Sequence, residues 1–266
     1  MTIKGKAKVS WDTRDTRGER EQHRGDGIYY LREEAVVLQA RRSKHVLKPG
    51  VHVYPFLCKL PSGNFPSTFQ TGTGKVSYSV IFVIRRFKYL TKTLESEFPF
   101  ERLVNVNVPE LLRPLSSTKS RHLICFWGVS GDVSMDVSVD KKGFVPGETI
   151  RIKTKLGNNT SSTAVASAEL KRKIIYYTNG RLAQKSESTQ VKCVVGEHVQ
   201  PNTSEFHGEI KLCVPKDVYI TLKDCEVLDI EYSLEVNLSV NAFAALTAIL
   251  PIVIGNSPEP ETPETN

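Results

Sequence analysis

The chain has 266 residues, of which 39% are hydrophobic, so it can build one large or two ordinary domains and is not globally disordered. Its 36 basic and 29 acidic residues give a net charge of +7, which weakly favours acidic partners: phosphorylated tails, anionic lipid heads or nucleic acid. Five scattered cysteines without a Cys-x-x-Cys pair argue against a disulfide framework or a zinc site, and indicate a reducing compartment.

The first half of the chain is predicted to contain one clear strand among largely polar segments. Residues 12–26 are almost entirely polar or charged, so we expect a long exposed loop there. Apolar residues occupy every second position over 76–84, which predicts a strand with one buried face. A single turn is predicted at 109–112, and residues 113–121 are predicted to form a linker between domains.

Strand patterns are clearer in the second half. Apolar and polar residues alternate over 132–140 and 230–240, and a turn at Pro146-Gly147 leads into a third alternating run over 148–156. Because convincing helical periodicity is nearly absent, we predict an all-β chain of antiparallel β-sandwiches, with an immunoglobulin-like architecture. The proline-rich acidic residues at the end of the sequence predict a disordered tail.

The two halves of the sequence also match each other. Pro49 matches Pro201, and a shared offset then aligns Pro61 with Pro215 and Tyr78-Ser79 with Tyr232-Ser233. One offset held across separated strands indicates duplication. A weaker match aligns residues 6–11 with 171–177, so the first copy starts near the third strand of the second copy. We therefore expect the first domain to lack its opening strands.

Residue patterns typical of catalysis do not occur in the sequence. It contains no Gly-x-Ser-x-Gly elbow, no His-Glu-x-x-His pair and no P-loop, and its six histidines lack the spacing of metal ligands. We therefore expect no catalytic residue, no metal site and no cofactor, and we predict that the protein is not an enzyme.

Basic clusters in the first half are the candidate binding residues. Arg and Lys form charge-assisted hydrogen bonds to phosphate, so such clusters could contact acidic or phosphorylated tails, although a solvated sheet face or loop is the simpler explanation for each. The Arg85-Arg86 pair is the better candidate because it ends a strand that we predict to be buried, which would hold it rigidly. Nucleic-acid binding lacks support, since aromatic residues are not interleaved for stacking. The candidate contacts are Arg41, Arg42, Lys44, Arg85, Arg86 and Lys88.

An ordered set of motifs resembles the arrestin family, and most of all the arrestin-domain-containing proteins, or α-arrestins. The motifs are LKPGVHVYPFLCKLP at 47–61, GFVPGETI at 143–150, Tyr232-Ser233-Leu234 and LPIVIG at 250–255. The resemblance implies two tandem arrestin-like sandwiches: an incomplete N-like domain with its linker at 1–121 and a C-like domain at 122–257. Residues 258–266 would form the disordered tail.

The resemblance also implies a function. Such proteins are cytosolic adaptors without an active site, which bind the cytoplasmic tails of membrane receptors or transporters and direct their ubiquitination, endocytosis and endosomal sorting. Peripheral association with the plasma membrane or endosomes is compatible with this role. Ubiquitin ligases are further implied partners, although the sequence contains no Pro-Pro-x-Tyr motif to recruit them. Two alternatives are a structural subunit of an endosomal sorting or coat complex, and a truncated non-functional copy.

Overall fold

A computed structural model of the protein describes residues 1–14, 20–34, 49–56, 65–85, 89–126, 129–223, 225–241 and 243–256. These residues form β-strands joined by turns, with one short 3₁₀ turn at Asn179–Arg181 and no α-helix among them. The described chain therefore confirms the prediction of an all-β protein. The tail predicted at 258–266 lies outside the described residues.

The first part of the chain forms one five-stranded antiparallel sheet. β1 pairs with β2 on one side and with β4 on the other, and β3 and β5 both pair with the far side of β4. Ala7, Val76 and Tyr78 are at most 1% exposed at its centre. The strands are β1 (Thr2–Arg14), β2 (Arg20–Glu34), β3 (Phe69–Gln70), β4 (Gly74–Ile84) and β5 (Lys92–Phe98).

The expected loop at 12–26 is wrong, because most of this segment belongs to the hairpin of β1 and β2. Asp12 pairs with Gln22 and Thr13 pairs with Glu21 across the two strands. Trp11 and His23 stack with ring centroids 5.5 Å apart, and the Thr13 hydroxyl lies 2.7 Å from His23 Nε2. Cross-strand pairs of this kind stabilise a hairpin even where its sequence is polar.

The second part of the chain forms two sheets. One has the order β11-β10-β13-β14-β8 and the other the order β12-β9-β7-β6; the pairing of β8 with β14 is parallel. The strands are β6 (Leu115–Phe126), β7 (Val129–Val139), β8 (Gly143–Phe144), β9 (Thr149–Asn158), β10 (Ala164–Tyr177), β11 (Gln184–Val199), β12 (Thr203–Cys213), β13 (Leu228–Val240) and β14 (Phe243–Ile254).

Alternating apolar residues form the core of these two sheets, as predicted. Val133, Met135, Val137 and Val139 of β7 are at most 1% exposed, whereas the residues between them contact solvent. The same alternation holds along β13, and Ile150, Ile152 and Leu156 are buried in β9. Each fully buried side chain of this size contributes about 1.5–3 kcal/mol, so the repeated alternation fixes which face turns inward.

The turn predicted at 109–112 is confirmed, since the amides of Leu111 and Leu112 both donate to the carbonyl of Val108. The linker expected at 113–121 is instead mostly strand. Leu115 to Arg121 pair with β7 residue by residue, beginning with Leu115 opposite Val139. This segment looked unpacked because β6 is an edge strand with one largely exposed face.

The described chain packs into two compact units that are not simple halves of the sequence. Unit 1 comprises Met1–Arg102 together with Tyr176–Gln184 and Cys225–Val227, and unit 2 contains the rest. Tyr176 belongs to the core of unit 1: it is fully buried, and its hydroxyl shares a 2.9 Å hydrogen bond with Thr71 Oγ1. The domain boundary predicted at residue 121 stays a prediction.

The predicted duplication has a structural counterpart in two hairpins with the same register. Tyr78 of β4 lies opposite Phe98 of β5, and Tyr232 of β13 lies opposite Ile252 of β14. Both pairs span the same number of residues, and the register continues in step along each hairpin. The neighbouring strands also correspond, because β2-β1-β4-β5 of unit 1 has the same order as β11-β10-β13-β14 of unit 2.

Matching hydrogen bonds close both hairpins in the same way. In unit 1, the Thr68 amide donates to the Phe100 carbonyl and the Phe100 amide donates to Thr68 Oγ1, both at 2.8 Å. In unit 2, Thr221 and Ile254 exchange the same two bonds at the same distances.

A pair of buried tyrosines repeats the correspondence. Tyr78 donates to the Pro66 carbonyl at 2.6 Å, and Tyr232 donates to the Tyr219 carbonyl at 2.7 Å. Backbone and side-chain contacts therefore support the duplication independently of apolar alternation.

The two hairpins differ in how their far ends are covered. Leu238 of β13 and Ala248 of β14 are fully buried, but their counterparts Ile84 and Leu94 are 40% and 50% exposed. The buried face predicted for β4 is therefore wrong at its C-terminal end. In unit 2 the strands β6 and β7 of the four-stranded sheet contact β14 of the hairpin. The described residues of unit 1 contain no counterpart of that sheet.

Candidate functional site

Among the basic residues predicted to contact acidic tails, only Arg85 lies in the described part of the chain. It directly follows β4 and is exposed. The expectation that a buried strand end holds Arg85 rigidly is wrong, because the last two residues of β4, Val83 and Ile84, are 39% and 40% exposed. The remaining candidates, Arg41, Arg42, Lys44, Arg86 and Lys88, lie outside the described residues.

A different set of cations shares one face of the unit 1 sheet. In β1, Ile3, Ala7 and Val9 are buried, so the residues between them project to the opposite face. These are Lys4, Lys6 and Lys8, of which Lys8 is exposed and the other two are half-buried. Lysine stems commonly cover a sheet in this way while the ammonium groups reach water. We call this surface the lysine face.

The next strand adds one further lysine to this face. On β4, Lys4 lies opposite Ser79, Lys6 opposite Ser77 and Lys8 opposite Lys75. Lys8 and Lys75 are like charges in directly opposed positions, which is unfavourable in a sheet unless neighbouring groups offset the repulsion.

Two carboxylates of β5 reach the edge of the lysine face. Lys75 Nζ lies 2.9 Å from Glu97 Oε1, and Ser79 donates to Glu95 Oε1 at 2.8 Å. Glu97 therefore balances Lys75.

The corresponding face of unit 2 is balanced by acidic residues. Lys171 of β10 lies 2.6 Å from Glu235 of β13 and 3.5 Å from Glu169 of its own strand. The hydrogen bond to Glu235 raises the pKa of Lys171 and favours its charged form. Lys171 is therefore held by two carboxylates, one on its own strand and one on β13.

The two buried tyrosines have raised phenol pKa values, yet their role is structural. Burial raises the pKa of Tyr232 to about 12 and also raises the pKa of Tyr78 well above its usual value. Each hydroxyl donates to a backbone carbonyl of its own unit. These groups hold turns in place.

The described residues contain no set of metal ligands, since no group of three or more His, Cys, Asp or Glu side chains that could hold a metal ion comes together among them. The described thiols include Cys193 and Cys213 on the surface and the buried Cys225, and none of these three forms a disulfide. No described helix is long and apolar enough to cross a membrane.

The contiguous basic runs on which the sequence prediction rests do not reveal the lysine face. Adjacent basic residues point to opposite faces of a strand, whereas residues two apart share a face. The signal that could have found this face is the alternation Lys4-x-Lys6-x-Lys8 near the start of the sequence.

These features define a protein built from two related β-sheet units with a basic face on the first. The family model for the arrestin (or S-antigen) N-terminal domain matches residues 1–107, and that for the arrestin (or S-antigen) C-terminal domain matches residues 129–259. The chain belongs to the arrestin family. This confirms the family recognised from the sequence motifs and, with the sheets described above, the tandem arrestin-like fold.

Relatives with arrestin domains cover most of this chain. Arrestin domain-containing protein 4 from Mus musculus is 29% identical over 233 residues, which cover 87% of this chain and 55% of that protein. Its Homo sapiens counterpart is 30% identical over 213 residues, covering 80% and 50%. Thioredoxin-interacting protein from Homo sapiens is 29% identical over 233 residues, covering 85% and 59%. The chain thus spans roughly half to three-fifths of the length of these relatives.

Proposed function

We propose that the protein is a non-catalytic cytosolic adaptor. In this role it binds the cytoplasmic tails of membrane receptors or transporters and directs their ubiquitination, endocytosis and endosomal sorting. It acts at the plasma membrane or endosomes by peripheral association, and ubiquitin ligases are among its partners.

The observation that carries this proposal is the ordered pair of arrestin domain matches over most of the chain. An adaptor needs two rigid binding modules on one chain, and the duplicated hairpins with their matching hydrogen bonds supply a similar scaffold to each unit. Such a protein needs no reacting groups, so its function depends on surfaces.

Affinity capture of the tagged full chain from cells, followed by quantitative mass spectrometry, tests the adaptor function. We expect membrane receptors or transporters to be enriched together with endosomal or ubiquitin-ligase components. A capture that enriches none of these classes contradicts the proposal. Size-exclusion chromatography of the same lysate adds a second criterion, since a single stable large complex would favour a fixed coat or sorting subunit instead.

The basic residues predicted from the sequence remain the proposed contacts for acidic tails: Arg41, Arg42, Lys44, Arg85, Arg86 and Lys88. We expect the double substitution Arg85→Ala, Arg86→Ala to weaken binding of a phosphorylated tail peptide, more so at low salt, because screening is weakest there. Fluorescence anisotropy measures this affinity.

The matched control removes Lys119 and Arg121, an exposed basic pair on β6. We expect the control to bind like the original chain. Equal affinities of all three proteins at low salt would show that Arg85 and Arg86 are ordinary solvated residues without a role in binding.

A further inference from the structure

One edge of the four-stranded sheet in unit 2 has no strand partner in the described part of the chain. β12 ends the order β12-β9-β7-β6 and pairs there with β9 alone, in a regular register from Phe206 to Cys213. The amide of Val214, directly after β12, donates to the carbonyl of Glu148, just before β9, at 2.9 Å. Because backbone groups alternate in direction along a strand, the odd-numbered residues from 207 to 213 direct their N–H and C=O groups away from β9. Such an edge is a template for a further strand.

A groove beside this edge leaves room for that strand. The groove has a volume of about 940 Å³, and residues 207–211 of β12 and 194–197 of β11 form much of its lining. All residues of β9, β11 and β12 belong to the described chain, so the walls of the groove are defined. Gly208 lies in this stretch, and a glycine within a strand often marks a place where another backbone approaches closely. Val195, on the β11 wall, is apolar yet 65% exposed.

The ionisable side chains of β12 share the solvent face of the sheet. Ile210 and Leu212 are buried, so the residues on either side of them project outward. His207 Nε2 lies 2.6 Å from Glu205 Oε1, which is also 3.0 Å from the ammonium group of Lys155 on β9. The outward residues in chain order are Glu205, His207, Glu209 and Lys211.

This order of charges is complementary to itself in one antiparallel register. When two copies of β12 pair with Gly208 opposite Gly208, Glu205 of each copy lies opposite Lys211 of the other. In the same register His207 lies opposite Glu209. Centring the pair on His207 instead places Glu205 opposite Glu209, and centring it on Glu209 places that carboxylate opposite itself. Opposite charges directly across a sheet stabilise the pairing and like charges destabilise it, so the charges select the register centred on Gly208.

We infer that β12 pairs antiparallel with β12 of a second copy of this chain, with Gly208 on the twofold axis. Each copy supplies four strands, so the sheets join into one continuous sheet of eight. The contact uses the same surface on both copies and therefore closes at a dimer. Val195 borders the groove that the second copy enters, so its exposed side chain becomes covered. Such a dimer goes beyond the proposed adaptor function, because it holds two copies of each unit and gains avidity for clustered targets.

The dimer is expected to be weak and reversible. A contact limited to one strand edge is small compared with stable protein interfaces, so we expect a dissociation constant of micromolar order. Backbone hydrogen bonds along the edge and the covered Val195 supply most of the affinity. Exposed ion pairs contribute little by themselves, and their main effect is to fix the register and the partner.

Sedimentation velocity of the purified full chain, from nanomolar to high micromolar concentration, tests the inference. We expect a monomer–dimer equilibrium. Lys211→Glu places two acidic groups opposite each other twice in the dimer, and Glu205→Lys does the same with two basic groups. Each variant should therefore dimerise roughly tenfold more weakly than the original chain. The matched control is Lys119→Glu, which changes an exposed lysine on β6, the other edge of the same sheet, and should leave dimerisation unchanged.

Charge exchange distinguishes a specific register from a general effect of net charge. An equal mixture of the Lys211→Glu and Glu205→Lys chains restores opposite charges at both positions of a mixed dimer. The double variant Glu205→Lys, Lys211→Glu restores them within one chain. Both samples should recover the affinity of the original chain to within about threefold.

Hydrogen exchange followed by NMR locates the contact. The amides of His207 and Glu209 point away from β9, so they should exchange slowly only at concentrations where the dimer forms. The amide of Ile210 points toward β9 and should be protected at every concentration.

Four results would overturn the inference. The first is a full chain that stays monomeric up to high micromolar concentration, and the second is unchanged dimerisation in both single variants. The third is a mixture that fails to recover dimerisation while circular dichroism shows both chains folded. The fourth is loss of the dimer in Lys119→Glu, or new amide protection on β6 instead of β12, which would assign the contact to the other edge of the sheet. None of these results bears on the capture experiment, since only purified chain is present.

Discussion

Replacing Asn158 by alanine tests how unit 2 holds its turns together. Asn158 ends β9 and is fully buried. Its Nδ2 lies 2.8 Å, 3.2 Å and 3.1 Å from the carbonyls of Ser162, Val199 and Gln200, and its Oδ1 accepts from the Thr160 hydroxyl at 2.7 Å. One side chain thus ties the turn after β9 to the turn between β11 and β12.

The cost of the substitution follows from the groups left behind. Alanine leaves the buried Val199 carbonyl without its amide partner and removes the bond from the Thr160 hydroxyl, which keeps a 3.1 Å contact with the Ser162 carbonyl. An unsatisfied buried group costs about 1–3 kcal/mol and each further lost hydrogen bond about 1 kcal/mol, so the free energy of unfolding should fall by about 2–5 kcal/mol. For a unit of this size the melting temperature should fall by roughly 5–15 °C.

Thermal unfolding of the full chain measures this loss, and hydrogen exchange locates it to the ends of β9 and β12. Asn159→Ala is the matched control, because the neighbouring side chain is exposed while its backbone amide still donates to the Asp132 carbonyl. We expect the control to change stability by less than about 0.5 kcal/mol. If Asn158→Ala is no more destabilising than the control, the account of this turn is wrong.

Two further predictions concern single positions. Tyr232→Phe should cost about 1 kcal/mol at neutral pH by removing the bond to the Tyr219 carbonyl. Because burial raises the pKa of Tyr232 to about 12 from about 10 when unfolded, its contribution is complete below pH 10 and is lost as the pH rises toward 12. Urea unfolding across that range should show a shallower loss in the variant, and an identical slope would contradict the assignment. Gly131→Ala should cost more than about 3 kcal/mol, since Gly131 has φ +140° and a Cβ there would overlap the Asn159 carbonyl. Gly72→Ala, which has open space, should be nearly neutral by the same melting assay.

The strands that could be predicted from the sequence are those with one buried and one solvated face. Val133 to Val139 alternate fully with polar residues, and so they were assigned correctly. The β1–β2 hairpin was missed because its end is polar on both faces, and its pairing depends on cross-strand partners such as Trp11 and His23. Composition alone carries no information about such partners.

Edge strands and surface sites could not be predicted from the sequence, for related reasons. β6 contributes few buried residues and owes its structure to pairing with β7, which no local pattern of its own sequence reveals. The composition of the lysine face depends on the neighbouring strand, because only the register between β1 and β4 places Lys75 opposite Lys8. Sequence spacing gives the face of a single strand, whereas the charge of a surface needs the register between strands.

The discontinuous composition of unit 1 has a consequence for biosynthesis. A domain that is contiguous in sequence can fold as it leaves the ribosome. Unit 1 cannot be completed in this way, because Tyr176 and residues 225–227 emerge long after β5. The buried site beside Thr71 and Phe69 stays empty until then. The core of unit 1 therefore stays incomplete while most of unit 2 is synthesised.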